Sequence, residues 1–146
     1  MIVINYPKPD FRLKKENERE FIFDSIRKRW VVLTPEEWVR QNFINYLIKS
    51  ENYPAALIAV EKELMLAERK KRFDILLYDE HHQPWMMIEC KSMNVQLNDE
   101  TLQQLLRYHI SIPARYLLIT NGNSCYGWEK GKNHLVSISR FPLLYK

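Results

Sequence analysis

The sequence predicts a mixed α/β domain, and three observations carry that prediction. Its 146 residues suit one domain and suffice for a core without disulfides or a structural metal, because a chain of this length buries roughly 68–70% of its unfolded surface. The apolar pattern switches cleanly between helical spacing and short β-prone runs, with no internal repeat. Those segments come in the order helix, three strands, helix, strand, which implies a mixed sheet covered by helices.

Composition removes several classes of protein. Four Trp, eight Tyr and six Phe supply too much apolar area for intrinsic disorder. Cys90 and Cys125 form neither a paired framework nor a CxxC ligand pair, which points to a reducing compartment. No apolar stretch approaches the ~20 residues that span a bilayer, and the start MIVINYPKPDF lacks the order of a secretory signal, so a soluble, cytoplasmic protein with no membrane partner is expected. The net charge of +4, from 22 basic and 18 acidic residues, permits a nucleic-acid partner without demanding one. The three glycines all fall late, and no GxxxxGK[ST] follows any strand, which excludes a phosphate loop and with it an ATP-driven motor.

Residues 1–20, polar and charged after a Pro-punctuated start, read as a loosely held arm, and 21–146 as a single domain. Two β-prone runs, 21–24 and 29–33, predict a small hairpin. Thr34-Pro35-Glu36-Glu37 is a helix start: Thr can cap, Pro loses no needed hydrogen bond at the first helical position, and Glu37 stands three residues after the cap. The helix is expected to run to about Lys49, with Val39, Phe43, Ile44, Leu47 and Ile48 toward the core and Arg40, Gln41, Asn45 and Lys49 nearer water. Strands are expected over 57–66, 72–78 and 85–92, the last two joined by a polar turn containing His81-His82, forming an antiparallel meander. A helix over 98–108 and an apolar strand over 115–120, ended by Asn121-Gly122, follow. Short strands over 124–129 and 135–138 complete the pattern.

Alternation along a strand places Glu89 and Lys91 on one face and Ile88 and Cys90 on the other, making Cys90 a core residue. If the strands pair so that Leu77 opposes Met86, then Asp74 opposes Glu89, with Cβ atoms about 4.5–5.5 Å apart. Two such carboxylates repel unless a cation or proton intervenes. Oxygen ligands without a soft partner suit Mg²⁺ or Mn²⁺ rather than zinc. This combination fits metal-assisted phosphodiester hydrolysis, with Lys91 orienting the water or stabilising the growing negative charge. An isolated Glu-x-Lys would ordinarily be no more than charges on a wet strand face.

The wider pattern changes that balance. Arg72-Phe73-Asp74-Ile75, then Glu89-Cys90-Lys91, then Gln104-Leu105-Leu106-Arg107-Tyr108 resembles the PD-(D/E)XK nuclease superfamily in three linked motifs, with Gln104 and Tyr108 fitting its helical QxxxY signature. Leu33-Thr34-Pro35-Glu36-Glu37-Trp38-Val39-Arg40-Gln41, Val60-Glu61-Lys62 and Leu117-Leu118-Ile119-Thr120-Asn121-Gly122 are also similar to the N-terminal nuclease domain of the restriction (motor) subunit of type I restriction enzymes, over roughly residues 18–146. The resemblance implies a restriction-endonuclease-like three-layer core, Mg²⁺ (with Mn²⁺ able to replace it) held by Asp74 and Glu89, and Lys91 in the catalytic position. It implies a further acid from the first helix, Glu37 or Glu36, with Glu37 favoured. The Pro-Asp of the superfamily stands here as Phe73-Asp74.

Glu61 matches an acid of the type I family near the metal, and equally reads as a salt-bridge partner of a base such as Arg72. Gln104 and Tyr108, one helical turn apart, would support the lysine or the substrate backbone. Among the basic clusters, Arg69-Lys70-Lys71-Arg72 offers Lys70, Lys71 and especially Arg72, next to the site, as phosphate contacts. The expected function is therefore a metal-dependent endonuclease acting on DNA. A catalytically silent DNA- or protein-binding module is the alternative, and a helicase or other restriction-system subunit is a compatible partner. Scission of both strands would favour a homodimer.

Overall fold

Two apolar cores, one on each face of a six-stranded sheet, organise the chain in the computed structural model, which describes residues 1–144. The last two residues of the expected 21–146 domain lie outside the described residues. The sheet contains β4 (Ile58–Leu66), β5 (Arg69–Tyr78), β6 (Pro84–Cys90), β7 (Tyr116–Thr120), β8 (Cys125–Lys130) and β9 (Leu135–Ile138), side by side in chain order. All neighbours are antiparallel except β6 and β7. A parallel pair needs a crossover, and α2 (Asp99–His109) provides it.

α1 (Pro35–Lys49) lays Val39, Phe43, Ile44 and Leu47 against Ile75, Leu77, Met86 and Ile88. On the other face α2 lays Leu102 and Leu106 against Leu76, Met87, Leu117 and Ile119. The result is the expected helix–sheet–helix layering around a mixed sheet. Both helices begin at side-chain caps: Thr34 Oγ1 accepts the Glu37 N–H at 3.0 Å and Asn98 Oδ1 accepts the Thr101 N–H at 2.9 Å, each cap satisfying a donor the helix cannot. Past β7, Gly122 turns the chain at φ +92°, and a Cβ there would lie 3.2 Å from Val39 Cγ2.

Two expectations need correction. The expected hairpin is present as β2 (Arg19–Asp24) and β3 (Arg29–Val32), but β1 (Leu13–Glu16), inside the expected arm, adds a third strand to it, and the segment before β1 is not loosely held. Ile2 is 3% exposed and donates its N–H to the Cys125 carbonyl at 2.8 Å. A charged sequence such as Leu13-Lys14-Lys15-Glu16 does not preclude a strand, because an edge strand is held by main-chain bonds and its charges discourage further pairing. Secondly, Arg40 and Gln41 are not near water; both are 4% exposed. Their side of α1 faces Asp24 of β2 and Asp74 of β5, to which Gln41 and Arg40 donate at 3.0 and 2.9 Å.

The register that positions the site is the expected one. Ile75 opposes Ile88, Leu76 opposes Met87 and Leu77 opposes Met86, before a bulge at Leu77/Tyr78. Pairing of β5 with β6 stops just short of Asp74 and Glu89. On the other side of β5, the ladder with β4 skips the position of Glu61, whose φ is +50°, the left-handed region that non-glycine residues seldom adopt. Alternation fails there: Phe73 belongs to the core under α2 and Ile75 to the core under α1. Asp74, between them, is reached from the α1 side by Arg40.

Candidate active site

Where β5 and β6 part, three side chains from the sheet meet. Asp74 Oδ2 accepts the Cys90 N–H at 2.8 Å, which fixes its carboxylate beside the Glu89-Cys90-Lys91 segment. Lys91 Nζ stands 3.2 Å from Glu89 Oε1. Cys90 itself is fully buried among the apolar residues under α1, as alternation requires. Burial pushes the Glu89 carboxyl up to about 7, and the Asp74 carboxylate pushes it the same way, close enough to accept a proton from it, with only Lys91 opposing. The lysine pKa is raised despite partial burial, because Glu89, Glu36 and Asp74 all favour its charged form.

Two arginines, Arg40 buried and Arg27 partly buried, hold the acids around this centre. Arg40 Nη1 binds Glu37 Oε1 at 2.6 Å and its Nη2 reaches Asp74 at 2.9 Å, with Glu36 and Glu61 at 3.4 Å each. Arg27 binds Asp24, Glu37 (2.9 Å) and Glu61 (3.3 Å). Counting Asp24, Glu36, Glu37, Glu61, Asp74 and Glu89 against Arg27, Arg40 and Lys91, the cluster carries an excess of three negative charges.

The helix-one acids divide the space between them. Glu37 is 5% exposed and wholly engaged by Arg27, Arg40 and Gln41. Glu36 is half-exposed, and its carboxyl is raised first by burial and then by Asp74, with Arg40 and then Lys91 opposing. It is thus Glu36 that shares the field of Asp74 and Lys91. Glu61 is bound by Arg27 and Arg40 and not by Arg72, which pairs instead with Glu63 at 3.1 Å.

Gln104 and Tyr108 both lie on the exposed side of α2, and among the described residues no hydrogen bond joins Gln104 to Lys91. Lys71 Nζ donates to the Tyr108 carbonyl and sits 4.4 Å from the centroid of its ring, so it is committed to α2. Lys70 is exposed. His81 and His82 are exposed in the turn, away from the carboxylates.

The sequence reading missed Arg27, Arg40 and His109. The spacing of Glu36 and Glu37 to Arg40 was a usable signal for an ion pair on one helix face. His109 continues the apolar stripe of Leu102 and Leu106, and the structure buries it to 3% exposure with neither ring nitrogen hydrogen-bonded among the described residues. Its Nε2 is 3.7 Å from Glu89 Oε2. Burial pushes the imidazole pKa down to about 4, so at neutral pH it presents a neutral ring and not a cation to Glu89.

Among the described residues, no group of three or more His, Cys, Asp or Glu side chains converges as a metal site. A small hard dication does not require one: Mg²⁺ is held through one or two carboxylates and keeps several waters. The all-oxygen pair Asp74 and Glu89, short of positive charge, fits such an ion and does not fit a four-ligand zinc site.

The fold and this cluster define a class: a helix–sheet–helix domain with two carboxylates and a lysine at the parting ends of two central strands. The family model of the type I restriction enzyme R protein N terminus matches residues 35–142, and the chain belongs to that family. The matched segment runs from the first residue of α1 past the end of β9, leaving the three-stranded sheet outside it. Comparison with curated proteins finds no match. Membership relates the chain to restriction systems. No helix among the described residues is long and apolar enough to cross a membrane.

Proposed function

We propose that the chain is a Mg²⁺-dependent endodeoxyribonuclease of the PD-(D/E)XK type, working as the nuclease part of a restriction system. The observation that carries this reading is the meeting of Asp74, Glu89 and Lys91 with a Glu89 carboxyl raised by burial and by Asp74. A strand pair built only for stability has no need to hold two carboxylates together at a cost.

In this reading Asp74 and Glu89 hold Mg²⁺, or Mn²⁺ in its place, which supplies Lewis-acid polarisation of the scissile phosphate and a more acidic water. Lys91, kept charged by its acidic neighbours, orients that water and stabilises charge developing on the phosphate. Glu36 is the acid from α1 best placed to accept a proton near Lys91, while Glu37 and Glu61 anchor the arginines. Arg72 and Lys70, exposed on β5, and Gln104 and Tyr108, exposed on α2, are the groups available to a DNA backbone.

A silent DNA- or protein-binding module has one observation in its favour: Arg40 already neutralises one Asp74 oxygen at 2.9 Å. Incubation of the pure protein with plasmid and single-stranded DNA separates the two. Cleavage with Mg²⁺ or Mn²⁺, abolished by EDTA and by Lys91→Ala, is expected. Intact DNA under every metal condition, or full cleavage by Lys91→Ala, overturns the nuclease reading.

A further inference from the structure

The three-stranded sheet has a face that the candidate active site does not use. In β2, Ile22 and Asp24 are fully buried, so alternation sends Arg19, Phe21 and Phe23 to the opposite face. Cross-strand pairing adds Lys14 opposite Phe21 and Trp30 opposite Phe23. Phe23 and Trp30 meet edge to face, with ring centroids 5.4 Å apart.

Cations cover these rings. The Arg12 guanidinium carbon lies 4.8 Å from the Phe23 centroid and 5.3 Å from that of Trp30. Lys14 Nζ is 4.5 Å from Trp30, and the Arg19 guanidinium carbon is 5.6 Å from Phe21. Among the described residues, neither Arg12 nor Arg19 has a carboxylate partner, and the one acid on this face, Glu16, stands 3.4 Å from Lys14. Three cations against one carboxylate leave the face positive.

A ligand for this surface must supply negative charge and flat π-faces at short, repeated intervals. We infer that the β1–β3 sheet binds single-stranded DNA, a chain that alternates phosphates with unstacked bases; only the choice of DNA rests on the nuclease reading. A duplex would meet the cations alone, since its base faces are hidden by stacking. The sheet is also continuous with the candidate site. One cleft of about 770 Å³ is lined by Phe21, Arg29 and Trp30 together with Glu36, Glu37 and Arg40. A strand held on the rings is thereby led to the start of α1, where Glu36 and Arg40 border the site.

The test uses the full chain in EDTA, where binding is read without cleavage, and measures anisotropy of labelled oligothymidylate and of a labelled duplex over a salt series. The single strand is expected to bind at least about tenfold more tightly. Trp30→Ala lowers single-strand affinity by about tenfold, the effect of losing one stacking partner, with duplex binding unchanged. Since Trp30→Ala can loosen the small sheet, the exposed double variant Lys14→Gln/Arg19→Gln is measured beside it. It is expected to melt like the wild type and to reduce the salt slope on the single strand by about 1.4, at roughly 0.7 per phosphate contact. Equal affinity for the two DNA forms, or an unchanged slope in the double variant, overturns the inference. Sheet-dependent single-strand binding by a protein that never cleaves would sink the nuclease reading and leave this surface standing, whereas cleavage unaffected by the sheet variants would do the reverse.

Discussion

Asp24 and Glu89 are both largely buried carboxylates, and the protein treats them in opposite ways. Burial alone would raise the Asp24 pKa, but the N–H groups of Ile26 and Arg27, the Arg27 guanidinium and the Gln41 amide all donate to it and carry it below the usual range. Glu89 has burial and a facing carboxylate pushing it up, with Lys91 alone to oppose them. On the proposed reading, the difference separates an acid that serves the fold from one that awaits a cation. The first is surrounded by donors in fixed geometry, and the second is left short of them beside another acid.

The sharpest way to break this comparison is through the arginine that binds Glu37, which shares Arg27 and Gln41 with Asp24, and Asp74, which faces Glu89. Arg40 is buried against Glu37 and Asp74, and Arg40→Met leaves Asp74 without its cation and Glu37 with the Arg27 cation alone. A loss of about 3–5 kcal/mol in urea-induced unfolding is expected, as for other buried ion networks broken from one side. A loss below about 1 kcal/mol would show that the acids are not held by this residue. Next in size, Lys91→Ala should slow cleavage by about a hundredfold or more while leaving stability nearly unchanged. An equal loss of both would make Lys91 structural and erase the distinction drawn here.

The pH dependence of stability separates the two acids by sign. Glu89 binds its proton more tightly folded than unfolded, so its contribution is present at and below the ordinary carboxylate pKa and is lost as pH rises from there to about 7. Asp24 is shifted the other way: its contribution is present above the ordinary value and is lost as pH falls through its lowered pKa. Without divalent metal, wild-type stability should therefore decline between about pH 4.5 and 7 relative to Glu89→Gln, and a melt series over that range reads it. Parallel curves would contradict the assignment of the strain to Glu89. The smallest effect is Glu89→Gln itself at neutral pH without metal, a change within about 1 kcal/mol, on the stabilising side, because a repulsion is removed.

Much of this was legible in the sequence because the relevant residues lie on regular strands. The Leu77–Met86 pairing was enough to bring Asp74 beside Glu89 and Lys91 at one strand end, although alternation breaks between Phe73 and Ile75, and the Thr34 and Asn98 caps marked both helix starts. What escaped had a physical reason in each case. Hydrophobic periodicity identifies the apolar side of α1 but cannot tell water from a second polar layer, so Arg40 and Gln41 looked solvent-facing. Nothing in the identity of Glu61 foretells a left-handed backbone, and it is there that Phe73 and Ile75 part to opposite cores. The charged β1 carries no apolar pattern because its main chain does the pairing. His109 was within reach, at helical spacing from Leu102 and Leu106, but a histidine is easily passed over where an aliphatic residue would be counted.

The most direct test of the account is the thermal melt of wild type, Glu89→Gln and Lys91→Ala with and without Mn²⁺. A cation that binds only the assembled site stabilises the folded chain by mass action. The wild type should melt higher with Mn²⁺, Glu89→Gln should lose that shift because a neutral amide is a poor partner for a hard dication, and Lys91→Ala should keep it or enlarge it. An unchanged Mn²⁺ response in Glu89→Gln, or its equal loss in both variants, would contradict the claim that Asp74 and Glu89 form the cation site and Lys91 stands beside it.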